Sequence, residues 1–273
     1  MIRTYLLIIL LKFLFLVALE PVQAESNLET WCKDQGLNWS AGYCEIGLYS
    51  TAYVDLNTEL TILTDETLDN RGGLYNHGTF TNNGYLINDG PFVNESSVNN
   101  YAIIENQSLI ENKSQCTINN FGHIGSTNRD GTIENDGAIY NAGFFGISGK
   151  PNNSGVIVND WIIFNGTAIN NTGYIGNSAT LNNDGSINND GEIANSGTIL
   201  NGAYQPGYNG GIYNENLIYN SGTIENSITF ENNGTIFRNV CLNSIIVETV
   251  PITGSGLFRD LDSCVYLPVL ESS

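Results

Sequence analysis

From Leu74 to Ile236 an apolar residue returns at every sixth position, with Gly two residues before it and Asn two residues after. The cleanest copies are Gly131-Thr132-Ile133-Glu134-Asn135-Asp136, Gly137-Ala138-Ile139-Tyr140-Asn141-Ala142, and the run from Gly185 to Ile199. A helix of 3.6 residues per turn scatters such positions around its axis, whereas an extended chain keeps i, i+2 and i+4 on one face. The pattern therefore specifies an all-β chain wound as a parallel β-solenoid, right- or left-handed, built from six-residue G-x-I-x-N-x repeats. Three hexads make one coil, so residues 18 apart stack, and about nine coils are expected. Ile points inward, and Asn-x-Gly forms the corner because Asn tolerates and Gly favours positive φ. Stacked coils set like residues in rows, so inward Asn amides can bond to one another, as buried amides must. Unpatterned, 40 Asn and 30 Gly would mark disorder; in phase with Ile they mark a fold.

The inward phase is even-numbered from Leu74 to Ile124, odd from Gly131 to Ile199, and even again from Gly210 to Ile236. Each change of parity requires an odd number of extra residues, which a corner absorbs as a bulge or loop. They fall near Ser126–Asp130 and within Asn201–Gly210, which holds Pro206. Gly146–Gly155, with Pro151 where an apolar residue is due, is expected to leave the wall without changing the phase. Steps of six from Val98 through Ile104 and Ile110 reach Cys116, which reads as an inward core thiol.

The ends read differently. Residues 1–24 have the form of a secretory signal peptide, with Arg3, an apolar run interrupted by Lys12, and Val22-Gln23-Ala24 at the cleavage site. No later segment is long and apolar enough to span a bilayer, so the expected location is extracellular or at the cell surface, with the periplasm also compatible. Residues 25–70 lack the hexad and carry Trp31, Cys32, Trp39 and Cys44. They read as an N-terminal cap, stapled by Cys32 and Cys44, over the open end of a solenoid spanning 71–240. A small recognition module built on Trp31 and Trp39 is the other reading. Residues 241–273 read as a C-terminal cap in which Cys241 pairs with Cys264, although cysteine count does not fix connectivity.

The chain carries 28 acidic and 9 basic residues, a net charge of −19, which argues against nucleic acid or an anionic membrane as partner. No catalytic, cofactor-binding or metal motif emerges: His77 and His123 fall at outward positions far apart, and Glu105, Glu111, Glu134, Asp136, Glu192 and Glu225 are scattered. A non-enzymatic protein without a cofactor is expected. The alternative is a polysaccharide-binding or polysaccharide-cleaving β-helix, recognisable by acids converging in one groove. At a spacing of 18, Tyr85, Ile103 and Phe121 form an outward apolar row that Tyr140 extends after the slip, and Phe144 stacks on Ile162 and Tyr219 on Phe237. The first row is a candidate contact surface for a glycan, a cell-surface partner or a second copy. Outward Thr79, Thr132, Thr167, Thr198, Thr223 and Thr235 do not recur at 18, so no ice-binding array is expected. Asn-x-Ser/Thr occurs at Asn38, Asn94, Asn106, Asn112, Asn152, Asn165, Asn170 and Asn233, several of them at inward positions that could not carry a glycan.

Asn195-Ser196-Gly197-Thr198-Ile199, the run Asn220 to Asn226, and Asn232-Asn233-Gly234-Thr235-Ile236 resemble the Asn/Gly-rich β-helical repeats of large bacterial secreted adhesins of the filamentous-haemagglutinin type. The resemblance lies at the level of the repeat and departs from that family in the shortness of the chain and in its terminal cysteines. It implies a secreted, adhesin-like or extracellular structural protein and points to no particular ligand.

Overall fold

The structure, a computed structural model, describes residues 27–125, 131–147, 149–202, 210–239, 245–248 and 250–261. The signal-peptide reading and the Cys241 and Cys264 pairing lie outside these residues. Short strands wind into a parallel β-solenoid of about 11 turns, walled by three sheets of 12, 11 and 10 strands. At about 4.8 Å per coil the stack is about 50 Å long. It exceeds the nine coils read from the hexads because Tyr43–Ile46, Thr51–Val54 and Glu59–Ile62 already form a coil, and Ile245–Glu248 and Leu257–Asp260 add strands beyond Ile236.

The hexad strands each turn one large apolar side chain inward, so every sheet contributes one core row: Leu86, Ile104 and Ile124 in the first, Leu74, Phe92 and Ile110 in the second, Phe80, Val98 and Ile118 in the third. The Asn that ends each strand is buried too. Its amide nitrogen donates to the side-chain oxygen of the Asn one coil on and to a carbonyl at the next corner: Asn141 Nδ2 reaches Asn159 Oδ1 at 2.8 Å and Ile162 O at 3.0 Å. Three such ladders run up the three corners, through Asn70, Asn88 and Asn106, Asn76, Asn94 and Asn112, and Asn82, Asn100 and Asn120. The first ladder is broken where Ile147 stands in place of Asn in register with Asn165, and a void of about 10 Å³ opens there beside Asn106 and Pro151.

The corner glycines have a different cause from the one expected. Among the described glycines, positive φ occurs only at Gly36, Gly42, Gly202 and Gly254. At the hexad corners the coils approach so closely that a Cβ on Gly143 would lie 2.1 Å from Gly122 O, and one on Gly185 would lie 1.9 Å from Thr167 O. At these glycines close backbone approach, rather than a left-handed turn, excludes a side chain.

Cys116 also departs from its expected place. Ladder partners 18 residues apart in Asn82 and Asn100 become 20 apart in Asn100 and Asn120, because Lys113–Cys116 is a four-residue turn closed by Cys116 N–H to Lys113 O at 3.0 Å, with Gln115 at φ 68°. Ile118 takes the core position over Val98, and Cys116, buried, packs in the turn. An insertion of two is invisible to a parity count. The odd slips enter between Asn120 and Asn141, 21 apart, and between Asn189 and Asn214, 25 apart; their loops, 126–130 and 203–209, lie outside the described residues. The described residues of Gly146–Gly155 do not leave the wall. Phe144–Ile147 and Asn152–Asn153 keep the register, and Pro151 is buried at the inward position.

The N-terminal end is covered by helix α1, Leu28–Asp34, which buries Leu28 and Cys32 on one side. Cys32 and Cys44 are disulfide-bonded. Trp31 Nε1 donates to Tyr53 O at 2.9 Å, and Asn27 Oδ1 and Gln35 Oε1 accept from the backbone N–H groups of Thr61 and Tyr53. These side chains satisfy the edge of the first coil, and Trp31 and Trp39 pack against the core rather than forming a recognition surface.

Candidate functional site

The four residues of the expected contact surface fall in two places. Tyr85 and Ile103 stand one coil apart in an outward row of the first sheet, which His123, Phe144 and Ile162 continue. The two residues added at Lys113–Cys116 place Phe121 instead at the corner between the third and first sheets, where it stacks on Tyr101 with ring centres 5.1 Å apart and planes 8° from parallel. Tyr140 projects from the third sheet, between Asn119 and Val158. Phe121 and Tyr140 nonetheless share a site, because both line a groove of about 360 Å³ with Tyr101, Asn99, Asn119 and Asp160.

The corner ladder builds this groove. The residues following Asn82, Asn100, Asn120, Asn141, Asn159 and Asn177 are Asn83, Tyr101, Phe121, Ala142, Asp160 and Ser178. Two rings are followed by a methyl group, then by a carboxylate held by Ser178 Oγ at 2.7 Å. Tyr101 and Phe121 are 54% and 52% exposed, and Trp161, at the next step of the same corner where other coils have Gly143 and Ala179, is 59% exposed. On the floor Asn119 Nδ2 donates to Asn99 Oδ1 at 2.9 Å, fixing both amides. The signal for Tyr101 was its place directly after a ladder Asn, which an 18-residue count on Tyr85 passes over.

Acids occur on all three sheets. On the first, Arg71 bridges Asp69 at 2.8 Å and Glu45 at 3.3 Å, and the Tyr43 hydroxyl donates to Asp69. Burial and that hydrogen bond push the Tyr43 phenol up to about 12. The Tyr85 hydroxyl donates to Glu105, which with burial raises it to about 12 as well. Burial, helped by Asp69, raises the Asp89 carboxyl. On the second sheet Glu111 and Glu134 sit on adjacent coils, with Lys113 on Glu111. On the third, Glu192 follows Tyr174 in one outward row. Both adjacent acid pairs, Glu45 with Asp69 and Glu111 with Glu134, are neighboured by a cation, which suits a braced surface better than a proton donor poised opposite a base.

No family model, curated protein or solved structure matches the chain. Function has to be read from the geometry alone.

The histidines stand apart. His77 Nδ1 pairs with Glu95 at 3.0 Å, while His123 stacks on Phe144 at 4.8 Å and has its pKa lowered by burial. Among the described residues no group of three His, Cys, Asp or Glu could hold a metal ion, and no helix is long and apolar enough to cross a membrane. Asn94, Asn106, Asn112 and Asn165 are buried ladder residues, which removes four of the eight sequons from reach of a glycan. Asn152 and Asn170 form an outer amide row with Asn188. The Thr expectation is corrected in one row: Thr180 and Thr198, one ordinary coil apart, and Thr223, on the longer coil, align on the first sheet. Ile162 and Ile245 bound that row, and its neighbour reads Phe164, Asn182, Leu200 and Glu225, so no regular Thr array results.

Proposed function

We propose that the chain is an exported, non-enzymatic, adhesin-like protein whose rigid solenoid presents a glycan- or cell-surface-binding corner. The supporting observation is the exposed, parallel pair Tyr101 and Phe121 on a corner locked by the Asn ladder. Large rings left in water on a scaffold that cannot rearrange to bury them are used by covering them with a partner. The leader-like residues 1–24 and the Cys32 to Cys44 disulfide suit an oxidising, extracellular setting. A charge of −19 disfavours anionic partners.

The test is retention of residues 25–273 on immobilised neutral polysaccharides and on intact cells, with soluble sugar assayed alongside. Retention without release of reducing ends is expected. Release of soluble fragments would overturn the non-enzymatic reading in favour of polysaccharide cleavage, and retention on no surface would overturn adhesion.

A further inference from the structure

The corner row that carries Tyr101 and Phe121 stops one ring short. Tyr101 covers one face of Phe121 in a nearly parallel stack, so the opposite face is turned toward the following coil, where Ala142 supplies only a methyl group. The coil after that supplies Asp160. With coils about 4.8 Å apart, the levels of Phe121 and Asp160 are separated by about 10 Å, which leaves room for one further ring at the height of Ala142. We infer that this step above Phe121 is a binding subsite for a neutral hexopyranose ring. The inference deepens the adhesin-like reading and rests on it.

Three features select a sugar. The uncovered Phe121 face suits the C–H face of a pyranose, which packs on an aromatic ring by dispersion and on the ring quadrupole. The rim of the groove is polar: the Asn99 and Asn119 amides and the Tyr140 hydroxyl donate or accept, and the Asp160 carboxylate accepts from hydroxyl groups. A purely hydrocarbon guest would displace water from that rim and offer it no hydrogen bond in return. Asp160 and the net charge of −19 disfavour uronates, sialates and sulfated sugars. The groove volume, about 360 Å³, falls within the usual range of about 300–1,000 Å³ for small-ligand sites.

Ala142→Phe is the sharpest test, because it continues the aromatic stack and fills the subsite with the protein's own ring. Purified residues 25–273 would be titrated calorimetrically with cellohexaose, laminarihexaose, mannohexaose and N-acetylchitohexaose, with hexagalacturonate as the anionic control. Binding of at least one neutral oligosaccharide is expected, with the control silent. Ala142→Phe should weaken it about tenfold or more while leaving the melting temperature unchanged or higher. Phe121→Ser, which removes an exposed ring without touching the core, should weaken it similarly, and serves alone if Ala142→Phe does not fold. Tyr85→Phe, on the neighbouring sheet, should leave it unchanged. Neutral-sugar binding indifferent to both changes at the step would overturn the subsite and leave the adhesin-like reading standing on another face. Binding of none of the four neutral sugars would overturn the subsite as well. The adhesin-like reading would then survive only if the same preparation is retained on cells.

Discussion

The chemistry that holds each coil is concentrated in one Asn and one Gly per hexad, and the two act for different reasons. Asn141 accepts from Asn120 and donates to Asn159 and Ile162 O, all within the dry corner. Asn141→Ala would strand the Asn159 oxygen and the Ile162 carbonyl together, at about 1–3 kcal/mol for each buried orphan. A loss of about 3 kcal/mol in urea unfolding is expected; a loss below about 1 kcal/mol would mean that water replaces the amide. The ladder shows the same cost at its own end, where Ile46 and Val54 lie beneath Asn70 and Asn76 and the side-chain oxygens of both Asn have no partner. The glycines are a steric matter. Gly143→Ala drives a methyl group into the Gly122 carbonyl and should cost about 3 kcal/mol or more. Gly36→Ala, at φ +69° in open space, should cost only about 1–2 kcal/mol. Equal losses in thermal unfolding would remove that distinction. His123 adds a pH term: burial holds its folded pKa below the ordinary 6.5. Its neutral form is therefore favoured by folding, and that contribution is complete above the unfolded pKa and lost as pH falls through the folded one. Between about pH 8 and about pH 5 the native protein should lose more melting temperature than His123→Phe, which keeps the ring on Phe144 without a titrating group. Parallel curves for the two proteins would show that His123 contributes nothing.

Corners, more than strands, decide what could be read from the sequence. Ile in the hexad predicts its strand and its inward face throughout, and Asn after it predicts the ladder, because burial and amide pairing are local consequences of a six-residue step. Parity located the odd slips for the same reason. It is blind to Lys113–Cys116, whose two extra residues restore the phase while shifting every later neighbour, and so an 18-residue count puts Phe121 in the row of Tyr85 and Ile103 instead of the stack with Tyr101. The Thr row is half legible: Thr180 lies 18 residues before Thr198, whereas the step from Thr198 to Thr223 is not 18. The Lys113–Cys116 turn resembles the corners of the first coil: Gly47–Ser50, Asp55–Thr58 and Leu63–Glu66 close by the same backbone bond, and Tyr49 and Asn57 share the positive φ of Gln115. It is therefore an alternative corner rather than a defect, and it can be exchanged. Removing Ser114 and Gln115 together with Cys116→Gly leaves Asn112-Lys113-Gly-Thr117-Ile118, an ordinary hexad corner. The variant should fold with unchanged or higher melting temperature, by about 1 kcal/mol from relief of the left-handed residue. A variant that fails to fold would show that the longer corner is needed between Asn112 and Thr117.

As a whole the molecule is a one-dimensional stack in which each coil contacts only its neighbours, so stability propagates along the axis and is lost from the ends. The two ends differ. At the N-terminal end α1 and the Cys32 to Cys44 bond cover the first coil, and Asn27, Trp31 and Gln35 satisfy its free backbone groups. At the other end the last described strands, Ile245–Glu248 and Leu257–Asp260, leave Ile245, Val247, Leu257 and Phe258 exposed, although Phe258 lies in register over the buried Ile236. Their burial contributes little, and the paired Arg238 and Asp260 are themselves solvent-exposed. Hydrogen exchange should therefore be graded along the rod: fastest at 245–248 and 257–260, slowest in the central coils around Ile157 to Ile193, and intermediate at the capped first coil. Reduction of the Cys32 to Cys44 bond should steepen the N-terminal part of the gradient, at about 2–4 kcal/mol of local protection, and leave the central coils unchanged. Uniform protection from end to end would instead mean that the coils unfold as one unit, with coupling across each Asn ladder stronger than the exposure of either end.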